Sequence, residues 1–156
     1  MATPELKDRL QSDLTDAIRS RDELRASTLR MALTAVKSAE VAGSAARTLS
    51  DDEVLAVLRT EVKKRREAAE AFDGAGRPER AERERAEQRV LEGYLPAQLS
   101  DDDLAALVAD AVAQAAAAGQ AGTAAMGRVM GIVKPAVGQR ADGARVAAEV
   151  RRQLQG

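Results

Sequence analysis

The chain has 156 residues, a net charge of -1, one Phe, one Tyr and no Trp, and although 45% of it is hydrophobic, most of that is Ala. With neither Cys nor His it cannot use a thiol nucleophile, an imidazole base, a disulfide or the usual zinc ligands, and near-neutral charge provides no global field to attract nucleic acid. No apolar run approaches the roughly 20 residues of a membrane span, and the charged N-terminus lacks a signal-peptide core, so the expectation is a soluble cytoplasmic protein.

A core without aromatics must come from Leu, Val, Ile, Met and Ala. With abundant Arg and Glu and no β-branched runs, this composition predicts an all-α fold. The first helix opens at Thr3-Pro4-Glu5, a cap, a first-turn proline and an acid that complements the dipole. Leu6, Leu10, Leu14, Ala17 and Ile18 make its apolar face. Asp22 caps a second helix with Leu29, Leu33 and Val36 inward, ending before Gly43. Ser50-Asp51-Asp52-Glu53 is a capping box for a third helix, followed by Val54, Val57, Leu58 and Val62. The run Lys63-Lys64-Arg65-Arg66 points round the whole helix, with Glu61, Glu67 and Glu70 at pairing distances, and reads as a solvated, salt-bridged surface.

Asp73-Gly74-Ala75-Gly76 is a break. A fourth helix runs from Pro78 to about Tyr94, with Glu79 and Arg83 spaced to pair and only its C-terminal end clearly apolar. Proline disfavours helix in the residue before it, so Tyr94-Leu95-Pro96 ends the helix. The predicted domains are a helical N-terminal domain, 1–96, and a small three-helix module, 97–156. Ser100 and three Asp start the fifth helix, lined by Leu104, Leu107, Val108, Ala111, Val112 and Ala115. The sixth runs from Thr123 to Val133, stopped by Lys134-Pro135. Asp142 caps the seventh, which turns Val146, Val150 and Leu154 inward.

Residues 126–143, MGRVMGIVKPAVGQRADG, place glycines where an alanine-rich chain would be expected to use alanine. At 100° per residue Met126, Val129, Met130 and Val133 share one arc, the expected core face. Gly127 and Gly131 lie together beside it, where small residues would let a neighbouring helix approach or, alternatively, a ligand come close to the backbone. Gly143 follows the Asp142 cap. A helix start offers free N–H groups to anions, and Arg140 and Arg145 flank this one, but the Asp142 carboxylate competes for the same groups. Residues 97–125 carry four Asp and no base, whereas residues 126–156 carry Arg128, Lys134, Arg140, Arg145, Arg151 and Arg152 against Asp142 and Glu149, a balance of +4. Arg128, Lys134, Arg140, Arg145 and Arg152 are therefore the candidate nucleic-acid contacts, the alternative being a solvated face on which Arg151 and Arg152 complement the helix C-terminus. Without an aromatic platform such contacts would go to phosphate and shape. No constellation reads as catalytic, the Asp101–Asp103 cluster reads as a helix start rather than a metal site, and no phosphate loop, cofactor motif or small-molecule substrate site is evident.

The residues from Met126 to Gly131, with Pro135 and Arg140-Ala141-Asp142-Gly143, resemble the signature of the GatB/YqeY family. So do Tyr94-Leu95-Pro96-Ala97-Gln98-Leu99-Ser100, Ser27 to Leu33 in the second helix and Glu61-Val62-Lys63-Lys64-Arg65 in the third. The resemblance covers essentially the whole chain. It implies a helical domain followed by a three-helix domain, as in the C-terminal part of the B subunit of the aspartyl/glutamyl-tRNA amidotransferase, where the tail contacts tRNA. It also implies a link to carbon–nitrogen ligation with glutamine as nitrogen donor, for which the chain offers no groups of its own. The expectation is a tRNA-binding accessory protein that contacts RNA through its basic C-terminal module. The alternatives are a helical adaptor for a protein partner, and a component of an amidotransferase complex.

Overall fold

The computed structural model describes residues 5–156, so the Thr3-Pro4 start expected for the first helix lies outside the described residues. Among them are seven α-helices, one 3₁₀ turn and no strand, the all-α class that the composition predicts. Packing divides the chain into two compact units, Met1–Leu95 and Pro96–Gly156.

The first unit holds α1 (Glu5–Arg19), α2 (Glu23–Glu40), α3 (Asp51–Gly74) and α4 (Pro78–Glu92). Leu10, Leu29, Val36, Val54, Leu58 and Leu91 form its fully buried centre. Between α1 and α2 the chain turns through Arg21 in the left-handed region (φ 59°), and the Asp22 carboxylate caps α2 by accepting from the Arg25 N–H. Ile18, expected on the buried face, is 52% exposed. The chain has already turned back beside Ala17, whose carbonyl accepts from the Asp22 N–H at 2.9 Å.

The capping box of α3 is present in both directions, Glu53 N–H to Ser50 Oγ and Ser50 N–H to Glu53 Oε1, each at 3.2 Å. Arg47 grips the same carboxylate at 2.5 Å. The loop ahead of it is tied down by Glu40, which is buried. Its side chain accepts from Lys7 at 2.7 Å and from the Leu49 N–H at 3.1 Å.

The charged middle of α3 corrects the sequence reading. Arg65, expected on a solvated surface, is 4% exposed. Its guanidinium lies 3.4 Å from Glu61 and 3.5 Å from Glu87 of α4, both also buried. Lys64 closes on Glu61 at 3.1 Å. Arg83 reaches Glu87 and Glu23, each at 3.3 Å, instead of its expected partner Glu79. The N-terminal half of α4 thus packs through ions as well as Ala81. Helix α4 ends at Glu92, two residues before Tyr94. The Tyr94 hydroxyl donates to Asp13 at 2.5 Å and accepts from Arg25 at 3.1 Å, while Arg9 stacks over its ring. Burial and the Asp13 carboxylate push the phenol up to about 12.

The second unit holds α5 (Asp101–Ala117), a 3₁₀ turn (Gly122–Ala125), α6 (Met126–Val137) and α7 (Gly143–Gln155) around Val108, Val129, Val133 and Val150. Gly119 and Gly122 turn the chain with positive φ (86° and 65°). Helix α6 does not stop at Lys134-Pro135 but runs on to Val137, with Pro135 in its last turn. A proline there removes one helical hydrogen bond, and the helix ends two residues later. Gly138 then takes φ 56°, a conformation natural to glycine.

Two outcomes follow for the first unit. Arg65→Leu takes the buried cation from Glu61 and Glu87, leaves them Lys64 and Arg83 at the edges, and should cost about 1–3 kcal/mol of unfolding free energy. Replacing all three by Leu should recover most of that loss, both read by denaturant titration. Separately, Arg47 and the Ser50 N–H hold the Glu53 carboxyl down at about 2, against 4.5 ordinarily. A depressed folded pKa stabilises fully above pH 4.5 and loses that contribution as pH falls through about 2. Thermal melts of Glu53→Gln should therefore show a weaker pH dependence than the parent across that window.

Candidate functional site

In α6 the alternation of buried and exposed residues is regular. Val129, Val133 and Val137 are buried against α5 and α7, and Met126 and Met130 are half-buried at the edge of the same cluster, filling gaps as flexible thioethers do. By helical angle the opposite side is centred on Gly127, Gly131 and Pro135, with Arg128 on one edge and Lys134 on the other. All five are exposed. A Cβ built at Gly127 or Gly131 meets nothing within 4 Å. This corrects the expectation of a close neighbouring helix. The pattern shows that the glycines avoid the core, but both partner helices lie on the valine side. The two glycines leave a strip of bare helix backbone open to solvent.

The other basic candidates have internal roles. Arg140 turns back on the end of α6, donating to the Ala136 carbonyl at 2.6 Å and the Val137 carbonyl at 3.3 Å. A cation there complements the helix C-terminus. Its own carbonyl accepts from the Leu99 N–H at 2.8 Å, and the Gln98 side chain reaches the Gln139 carbonyl at 3.3 Å, so the loop is pinned to the segment before α5. Asp142 caps α7 through the Arg145 N–H at 2.8 Å, and a Cβ at Gly143 meets no neighbour. The Arg145 guanidinium pairs with Asp101 at 2.8 Å. That carboxylate is 97% exposed, so the pair is a weak one.

Arg152 forks onto Glu149 at 2.8 and 2.5 Å. With Gln153, it holds the Glu149 carboxyl down at about 2. The five candidates therefore differ in what holds them. Arg140, Arg145 and Arg152 are engaged inside the unit, whereas Arg128 and Lys134 have no ion-pair partner among the described residues.

No group of three or more Asp and Glu among the described residues is arranged to hold a metal ion. No single helix among them is long and apolar enough to cross a membrane. An open groove of about 360 Å³ between α3 and α4 includes Arg66, Glu70, Arg85 and Arg89, but Arg85 is paired with Asp73 and Arg89 with Glu82.

These features define an all-helical protein whose second unit presents a cation-flanked, side-chain-poor helix face. The chain belongs to the Yqey-like protein family, whose model it matches over residues 7–154. It is also similar to an uncharacterized protein of Schizosaccharomyces pombe, 34% identical over 100 residues, which are 64% of this chain and 80% of the relative.

Glycine costs an exposed helix interior about 1 kcal/mol relative to alanine, and here alanine has room. Gly127→Ala and Gly131→Ala should each stabilise the protein by about 0.4–1 kcal/mol, measured by denaturant titration.

Proposed function

We propose that the chain is an RNA-binding accessory protein, with tRNA as the leading class, and that α6 supplies the contact. The observation that carries this reading is the pair of uncompensated cations, Arg128 and Lys134, on either side of the Gly127–Gly131–Pro135 strip. Two cations across an exposed helix suit successive phosphates, which attract Arg and Lys without regard to base. The bare backbone between them removes the side chains that would hold a sugar–phosphate chain away. Folded RNA is read mainly through shape, phosphate and ribose hydroxyls, and such contacts need no aromatic platform. The resemblance to the tail of the amidotransferase B subunit supports tRNA as the class.

In this reading the contact narrows from the five basic residues of the module to the two on α6. Arg140 and Asp142 serve the loop and the start of α7, and Arg145 and Arg152 are matched by Asp101 and Glu149.

Filter binding of labelled tRNA across a salt series tests the proposal. Arg128→Glu with Lys134→Glu should weaken binding roughly tenfold or more and lower the slope of log affinity against log salt by about 2. Gly127→Ala with Gly131→Ala should weaken binding while raising stability. Parent protein that shows no preference for tRNA over heparin at moderate salt would sink the proposal.

A further inference from the structure

The outer side of α2 is exposed along its length. At 100° per residue Arg30, Met31, Thr34, Lys37, Ser38 and Val41, the last being the C-cap, fall within one arc of about 120°, and all six are exposed. The opposite side carries the buried Leu29 and Val36. Arg30 and Lys37 have no ion-pair partner among the described residues. The acid in register with them, Glu23, lies seven residues before Arg30 and is gripped by Arg83. Glu40 is buried and held by Lys7 and Leu49.

Two of the three large exposed hydrophobics among the described residues, Met31 (51%) and Val41 (59%), sit in the same arc. Met31 touches Arg65 by its sulfur at 3.8 Å on one edge and is open on the other. The Thr34 hydroxyl donates to the Arg30 carbonyl at 2.9 Å, so its proton is already engaged within the helix. In the Ser27–Leu33 stretch, Thr28, Leu29 and Ala32 build the core, whereas Arg30 carries no internal load.

We infer that this face docks an acidic amphipathic helix of a partner protein. From Arg30 to Val41 the face runs roughly 16 Å, about three helical turns. Two cations seven residues apart, with no acid between them, match carboxylates at the same spacing on a helix laid alongside. Met31 and Val41 match aliphatic side chains between those carboxylates, and a flexible thioether adapts to them. RNA would instead set phosphates against Met31 and Val41, with no aromatic ring for its bases. This surface uses residues of the first unit and the proposed RNA contact uses residues of the second, so the two are tested independently.

A photo-crosslinking amino acid at Thr34 of the full chain, in cells that carry the protein natively, tests it, with adducts identified by mass spectrometry and a probe at exposed Ala106 as control. The expected result is a protein adduct whose crosslinked peptide is helical in pattern with acids seven apart. Its yield should fall roughly tenfold in Arg30→Glu/Lys37→Glu and also fall in Val41→Ser, while circular dichroism stays unchanged. Adducts to RNA or lipid overturn the inference. So do protein adducts that survive charge reversal, and a yield no higher than the Ala106 control.

Discussion

A buried arginine between two buried glutamates holds the first unit in register. The chain has one Phe, one Tyr and no Trp, so few side chains are large enough to fill the seam between the two charged helices α3 and α4. Arg65, Glu61 and Glu87 fill it instead, and Arg83 and Lys64 close the network at its edges. An apolar seam would tolerate sliding by a turn, whereas a desolvated guanidinium requires its carboxylates in one position. The same helix carries the capping box at its start, and α4 leads into Tyr94, whose hydroxyl meets Asp13 of α1 and Arg25 of α2. Register at Arg65 therefore bears on where the last residues of the unit arrive.

Much of this was legible in the sequence because caps and apolar stripes are local. Asp22, Ser50 with Glu53, Ser100 and Asp142 each declare a helix start within four residues, and each is a cap in the structure. The buried charges were not legible as such, because an Arg among Lys and Glu carries the same local signature whether wet or dry. A faint signal existed: Arg65 stands seven residues after Leu58 and four before Ala69, on the stripe they share. On α4, Glu87 likewise precedes Leu91 by four.

The candidate site was legible as a set of residues and less so as a surface. Periodicity placed Val129 and Val133 inward and separated Gly127 and Gly131 from them. Which side of the helix lacked a neighbour depended on where α5 and α7 lie, which is long-range information. The basic residues were equally ambiguous. Arg140 and Arg152 look like free cations in a charge count, yet one ends α6 and the other is forked onto Glu149. A proline normally ends a helix, so the sequence also hid the last turn of α6, where Pro135 is tolerated just before the end.

That proline has a consequence of its own. Lacking an N–H, Pro135 offers no donor to the carbonyl four residues earlier, which is that of exposed Gly131. The residue with the least side chain on the face is thus also the one whose carbonyl has lost its ordinary helical partner. The pyrrolidine ring crowds that same carbonyl, so the ladder loses a rung within the last turns of α6. One ring closure in the backbone thus weakens α6 from within, just ahead of the Gly138 turn.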